Sequence, residues 1–387
     1  MARVIYMTDF SEGYARRLLH GIAQYSRDKR EAWSISRISV AAKERVGIEG
    51  LVQYAKATHA DAIIGLFDRD DKLELLKKEG IIVIAQDHKE RFMDIPNITA
   101  NHFEAGRIGA EYFLKKGFSN FAFYGPKNVV FSEERCEGFR ETIKKQHPNA
   151  FFSSLMVAGN GIWGYDMEEL GSWLSYLPKP VAILASDDNW ANFITEMCRT
   201  NMYGQPKGQF RIPEDIAVLG VDNDDTLCRL SDPNLSSIDQ DVEKAGYRVA
   251  RLIDAMLENS GMPVTNIYVT QGSVISRQST DIFVNDDPYI ARVLKYIHDN
   301  LNQKLYVEDI VKQVPLSRRL LETRFRASMG TSIYNYIKNV RVEKMAELLK
   351  NGRTVSEAAF DLGLGDVKNI SRIFKSVKGV SPSDYCK

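Results

Sequence analysis

Apolar residues in the first three quarters of the chain gather into short unbroken runs, at residues 4–7, 62–67, 81–85, 121–124, 181–185 and 217–221. Between these runs apolar positions recur every third or fourth place, as at 14–27, 102–116, 133–145 and 241–258. An unbroken run fits a strand buried on both faces, and the longer period fits an amphipathic helix. Strands alternating with helices over residues 3–282 predict βαβ units in parallel sheets, with enough strands for two. After a turn-rich stretch, Asn285-Asp286-Asp287-Pro288, only the helical period remains.

That last stretch holds the same pattern twice. One unit runs from Leu305 through Pro315 to Phe325, the other from Thr354 through Gly363 to Lys375. Each pairs a short amphipathic helix with a brief turn and then a helix rich in Arg, Lys and Asn. An apolar i, i+4 pair anchors each second helix, Leu321/Phe325 and Ile370/Phe374, and leaves the opposite face open. Residues 333–349 read as one long helix between the units, apolar at Ile337, Val340, Met345 and Leu348. Two helix-turn-helix units in tandem predict binding in the major groove of double-stranded DNA.

Composition sharpens the division. The 387 residues carry no net charge, but from Asp286 onward there are 18 Lys and Arg against 12 Asp and Glu, leaving 33 against 39 before it. A basic tail behind an acidic body fits a DNA-binding module attached to a sensor, although solvated helices alone can give such a surplus. Asp287 can cap the next helix with Pro288 in its first turn, which places the boundary near 283–287. Cys136, Cys198, Cys228 and Cys386 stand far apart, so neither a disulfide framework nor a zinc site is indicated. The first residues pass straight into a strand with no signal-peptide pattern, and no apolar run approaches a membrane span. A cytoplasmic location and no membrane partner are expected.

Candidate chemistry sits where strands end. Asp222 and Asn223 follow the run at 217–221, and Asp187 and Asp188 follow 181–185, at the carboxyl ends where open α/β sheets bind ligands. Each Asp could instead merely cap the following helix. Asp9, Phe10, Tyr14 and Arg16 occupy the first strand-to-helix connection; Tyr14 and Phe10 could equally be core. Gly159-Asn160-Gly161-Ile162-Trp163-Gly164 matches the dinucleotide fingerprint, with Asp187 at a suitable distance, and is the one clue to a nucleotide-dependent enzyme. Its mid-chain position and the bulk of Trp163 argue against close pyrophosphate approach. No H-x-x-x-H, G-x-S-x-G or Walker loop occurs, so no catalytic residue, metal or cofactor is expected.

In the tail, Ser317 can cap the first recognition helix and put Arg318 and Arg319 in its first turn. With Glu322, Thr323 and Arg326 they fall away from the Leu321/Phe325 face. Arg suits guanine and Glu suits cytosine. In the second unit Lys368, Ser371, Arg372 and Lys375 share the open face; any single basic residue could touch only phosphate or solvent.

The body carries, in order, Thr99-Ala100-Asn101, Gly106-Arg107-Ile108-Gly109, Tyr124-Gly125-Pro126, Ser132-x-x-Arg135-x-x-Gly138-Phe139, Ala185-Ser186-Asp187-Asp188 and Ile216 to Asn223. This set resembles the sugar-sensing domain of lac-repressor-type regulators, related to periplasmic sugar-binding proteins. The ending Lys378-Gly379-Val380-Ser381-Pro382-Ser383-Asp384-Tyr385 resembles AraC-type domains, with Cys386 where that family usually has Arg. The combination resembles the family of xylose-operon regulators. The resemblance implies an α/β two-lobed sensor of doubly wound parallel sheets over 1–284, followed by an all-α domain over 285–387. Lobe one would take about 1–118 and 238–259, and lobe two about 119–237 and 260–284. It further implies that Arg135 binds ligand and that Trp163 lies on a loop over the cleft, where it could stack on a sugar ring. The implied protein is a sugar-responsive activator, with D-xylose the foremost effector and repression or another sugar the alternative. Its implied partners are operator DNA, RNA polymerase and a second copy of the chain.

Overall fold

The structure, a computed structural model, describes residues 2–8, 12–30, 33–158, 167–199, 210–259, 261–350, 352–362 and 367–385, leaving aside the side chains of 347, 350 and 367–370. The chain forms two compact units, Met1–Asp281 and Ile282–Lys387. The division falls at Ile282 rather than at 285 because Phe283 is already buried in the core of the second unit.

Among the described residues of the first unit, twelve strands build two sheets. They are β1 (Arg3–Met7), β2 (Ser34–Ile38), β3 (Ala62–Gly65), β4 (Ile82–Gln86), β5 (Asn97–Ala100), β6 (Asn120–Pro126), β7 (Phe151–Val157), β8 (Val181–Ala185), β9 (Ile216–Val221), β10 (Ser236–Gln240), β11 (Ile267–Val269) and β12 (Gln271–Ile275). One sheet has the order β11-β5-β4-β3-β1-β2, the other β12-β10-β9-β8-β6-β7. Every pairing is parallel except β10 with β12. Strands β3, β8 and β9 are buried at every position, which is why they read as unbroken apolar runs. The chain reverses direction across each sheet at the same place, between β1 and β3 in one and between β6 and β8 in the other. Such switch points open a crevice at the carboxyl ends of the strands.

Among the described residues the chain crosses between the lobes three times, the first time earlier and the other two times later than the sequence suggested. After β5, Asn101 caps the His102–Lys115 helix by accepting from the Glu104 N–H at 3.1 Å. That helix packs on Val130–Gln146 of the second lobe, so residues 102–118 do not belong to lobe one. Gly106 and Gly138 allow the contact. A Cβ on either would come within 2.1 Å of the Arg135 carbonyl or 2.0 Å of the Phe103 carbonyl. After β10, the Val242–Glu258 helix returns to pack on Gly13–Lys29. β11 then pairs with β5 in the first sheet, and only from β12 onward does the chain rejoin the second lobe. Residues 267–269 are therefore lobe one, because β11 completes an edge that β5 leaves open.

The second unit has two cores. Ile290, Val293, Ile297, Ile310, Leu321, Phe325, Ile333 and Ile337 fill one; Val342, Met345, Ala346, Leu349, Ala358, Leu362 and Phe374 fill the other. The Ile333–Lys350 helix belongs to both.

Candidate ligand cleft and nucleic-acid interface

The carboxyl ends of the two sheets face each other. Arg16 on the first lobe meets Asp224 on the second at 3.0 Å, the Val130 N–H donates to the His88 carbonyl at 2.7 Å, and Arg91 forks onto Glu134 at 2.7 and 2.9 Å. Between these contacts lies a deeply buried charged group of the cleft. Arg135, on the Val130–Gln146 helix, is 3% exposed. Its guanidinium donates to the Ser186 carbonyl, stands 3.7 Å from Asp222 and lies over the Phe131 ring at 5.1 Å. Its Nε–H is buried with no partner among the described residues.

Asp222, immediately after β9, is in a left-handed conformation (φ 98°), followed by Asn223 at φ 50°. Its carboxylate accepts from Gln240 Nε2 at 2.9 Å. Burial pushes the carboxyl up to about 6 despite the pull of Arg135. From the opposite lobe Tyr14 reaches the same space. Burial first, and then the charges of Asp222 and Asp87, hold its hydroxyl protonated far above neutral pH. The cleft thus offers a guanidinium N–H, a carboxylate acceptor and a phenol that both donates and accepts.

The other candidates divide. Asp187 caps the Asp188–Arg199 helix, accepting from the N–H groups of Asn189 and Trp190 at 2.8 and 3.2 Å, and burial raises its carboxyl. The capping alternative is thus realised at Asp187, although Arg135 still feels its charge. Asp188 lies inside lobe two, 1% exposed, where it accepts from the Asp224 N–H at 2.7 Å and the Cys228 thiol at 3.6 Å. A Cβ on Gly220 would come within 2.1 Å of its Oδ1, so Asp188 props β9 instead of lining the cleft. The Asn223 side chain accepts from Arg277 at 2.7 Å and serves the same framework. Arg16 is partly exposed and bridges the lobes through Asp224. Asp9, Phe10 and Trp163 lie outside the described residues.

Three groups escaped the sequence reading. Asp87 follows β4 and gathers Arg91 Nε at 3.0 Å, the Thr99 hydroxyl and His102 Nε2 at 3.3 Å. It obeys the same rule of an Asp after a buried strand that singled out Asp187 and Asp222, so the signal was present. Burial lowers the pKa of His102, keeping the ring neutral, and its Nδ1 is unpartnered among the described residues. Gln240 carries no motif; only the fold brings it to Asp222.

In the tail, Ser317 caps Arg318–Met329 by accepting from the Leu320 N–H at 3.3 Å. Leu321 and Phe325 are fully buried, while Arg318, Arg319, Glu322, Thr323 and Arg326 are exposed. Arg318 is held by Glu322 of its own helix at 3.0 Å and by Glu308 of the Val307–Val311 helix at 2.7 Å. In the second unit a capping box of Thr354 and Glu357 starts the Val355–Asp361 helix. On Val367–Lys378, Phe374 is buried against Tyr385 with ring centroids 5.3 Å apart; Arg372 and Lys375 are exposed and Ser371 is half-buried. The side chains of Lys368 and Ile370 lie outside the described residues. Among the described residues no helix is long and apolar enough to cross a membrane.

A periplasmic binding protein-like domain matches residues 110–280, and a helix-turn-helix domain matches residues 310–387. The chain is 25% identical to the xylose operon regulatory protein of Haemophilus influenzae, over 99% of this chain and 97% of that protein. It is 24% identical to the xylose operon regulatory protein of Escherichia coli K12, over 99% and 96%. Among solved structures, a xylose-binding transcription activator superposes with a TM-score of 0.58 at 22% identity, covering 99% of this chain and 97% of the other.

Proposed function

We propose that D-xylose, held between the two lobes, is the signal read by this chain, a DNA-binding transcription regulator of the xylose-operon type. The chain joins a periplasmic-binding-protein-like sensor to an AraC-type tail, and it regulates transcription rather than catalysing a reaction. The observation that carries the sugar reading is the Arg135–Asp222 pair, a buried guanidinium with a spare N–H beside a carboxylate at the switch point of lobe two. Sugar hydroxyls both donate and accept, so such a pair grips vicinal hydroxyls, and Tyr14 adds a third contact from lobe one. A ligand touching both lobes favours their closed arrangement in proportion to its preference for it.

Closure is then transmitted to the tail, where Arg318, Arg319, Glu322, Thr323 and Arg326 read one stretch of the operator and Lys368, Ser371, Arg372 and Lys375 another. The same reading makes the protein a cytoplasmic homodimer that activates pentose-catabolic genes through RNA polymerase, without a cofactor. Calorimetry with a panel of pentoses and hexoses tests it. D-xylose should bind tightest, and Arg135→Ala should weaken it at least tenfold, about 1.4 kcal/mol, since a hydrogen bond to a charged group is worth about 1.5–3 kcal/mol. A folded chain that takes up no pentose ends the sugar reading.

A further inference from the structure

Arg17 is one residue beyond the expected cleft set, on the Gly13–Lys29 helix of lobe one. Its guanidinium reaches across to lobe two and takes three acceptors there. Nη1 donates to the Asp222 carbonyl at 2.8 Å and to Asp239 Oδ1 at 3.1 Å, and Nη2 donates to the Gln240 carbonyl at 2.7 Å. Asp222 and Gln240 are already paired through their side chains at 2.9 Å. Arg17 therefore holds the backbone of both members of the pair that presents the cleft carboxylate. Gln240 is also the last residue of β10, immediately before the chain crosses back to lobe one.

The backbone needs such holding. Asp222 and Asn223 are consecutive non-glycine residues in the left-handed region, at φ 98° and 50°. Conformations this sparsely populated persist only where the surroundings over-determine them. Two restraints come from lobe two itself. The Asp222 N–H donates to the Ile238 carbonyl at 3.0 Å, and the Asn223 N–H donates to Ser237 Oγ at 2.9 Å. The restraint on the Asp222 carbonyl comes from lobe one, through Arg17.

We infer that Arg17 is a positioning residue for sugar recognition, setting Asp222 through its backbone and through Gln240 only while the lobes are closed. This inference rests on the sugar reading above. It makes closure and the orientation of Asp222 one event, because separating the lobes removes the donor from the Asp222 carbonyl. Arg17 also belongs to the charge environment of that carboxylate. Arg135 and Arg17 favour its ionised form, whereas Asp187, Asp188 and Asp224 oppose it. Tyr14 stays neutral there.

The test is calorimetric titration of the full chain with D-xylose from pH 5 to 8, on wild type, Arg17→Gln, Arg17→Lys and Asp239→Asn. The affinity of wild type should fall as pH drops through the Asp222 titration near 6. Arg17→Gln should bind at least tenfold more weakly at pH 7.5, with that fall moved to higher pH because one cation favouring the carboxylate is gone. Arg17→Lys should keep the wild-type pH profile yet lose several-fold in affinity, since an ammonium cannot fork between the carbonyls. Asp239→Asn, which leaves both carbonyl contacts, should bind within twofold of wild type. Wild-type affinity and profile in folded Arg17→Gln overturn the inference, and so does a loss of affinity without any movement of the profile. Should Arg17→Gln not fold, Arg17→Lys decides, and undiminished affinity there refutes the role. A wild-type chain that takes no pentose instead ends the sugar reading, and the inference with it.

Discussion

Asp222 is expected to cost the sensor stability at neutral pH, and Asp222→Asn measures that cost. Burial moves its carboxyl from 3.8 to about 6, so over that interval the folded chain keeps a proton that the unfolded chain has released. The sign follows. A raised carboxyl contributes stability that is fully present below 3.8 and is lost as pH rises through about 6. At ~1.36 kcal/mol per pH unit the full swing is about 3 kcal/mol. The side chain is only 18% exposed, so solvent screening discounts this little. Asparagine does not titrate. The stability of Asp222→Asn minus that of wild type should therefore climb by about 2–3 kcal/mol between pH 4 and pH 7. Weakening the partner of Arg135 shifts the whole curve but not its slope. Urea unfolding at several pH values, without sugar, is the assay. Tryptophan fluorescence suits it, because Trp33, Trp163, Trp173 and Trp190 all fall within the sensor unit. A difference that is flat with pH would show that Arg135 balances the burial and would refute the reasoning. On the proposed reading the trade is functional, because an acceptor for sugar hydroxyls would be kept ionised at neutral pH against the preference of the fold.

Leu321→Ala, in the first tail core, should cost about 2–5 kcal/mol and abolish operator binding while sugar affinity stays unchanged; loss of sugar binding would count against separate units. Arg319 is exposed in the first turn of its helix, so Arg319→Ala should relax preference at one or two base pairs by about 1–3 kcal/mol. Lys375→Ala should instead weaken all sequences alike and reduce the salt slope by about one; binding curves on operator variants at several salt concentrations would expose an inverted docking. Titration with NAD, NADP, ATP or S-adenosylmethionine should give no saturable signal, and a Kd below about 100 μM would revive the Gly159–Gly164 fingerprint.

The architecture was legible because it is written in period. Buried runs such as 181–185 and 217–221 can only be inner strands of a covered sheet, and Leu321/Phe325 can only face inward on a helix whose other positions are charged. The lobe boundaries were not legible. The His102–Lys115 helix follows a lobe-one strand, and nothing in its own pattern reports that its apolar face lies on Val130–Gln146. The site was half legible for a related reason. Arg135 and Asp222 stand at strand ends or in a recognisable motif, whereas Arg17 and Gln240 acquire their roles from contacts 205 and 18 residues away. Asp188 reads like its neighbour Asp187, yet one residue of helix rotation turns it under β9 instead of toward the cap.

The tail shows how a weak pattern can carry structure. The Ile333–Lys350 helix has no single apolar stripe, which in isolation would argue against a well-packed helix. Its buried positions explain this. Ile333 and Ile337 enter the first core, whereas Val342, Met345, Ala346 and Leu349 enter the second. At 3.6 residues per turn these two sets point about 150° apart, so the helix buries nearly opposite faces at its two ends. Each helix-turn-helix unit is too small to enclose its own core and borrows one end of the same helix. Its 18 residues make about 27 Å of shared rod, comparable to the roughly 34 Å repeat of B-DNA. The two recognition helices are thus joined through packing against one rigid element and not through a loop, so their spacing is fixed as firmly as the two cores are packed.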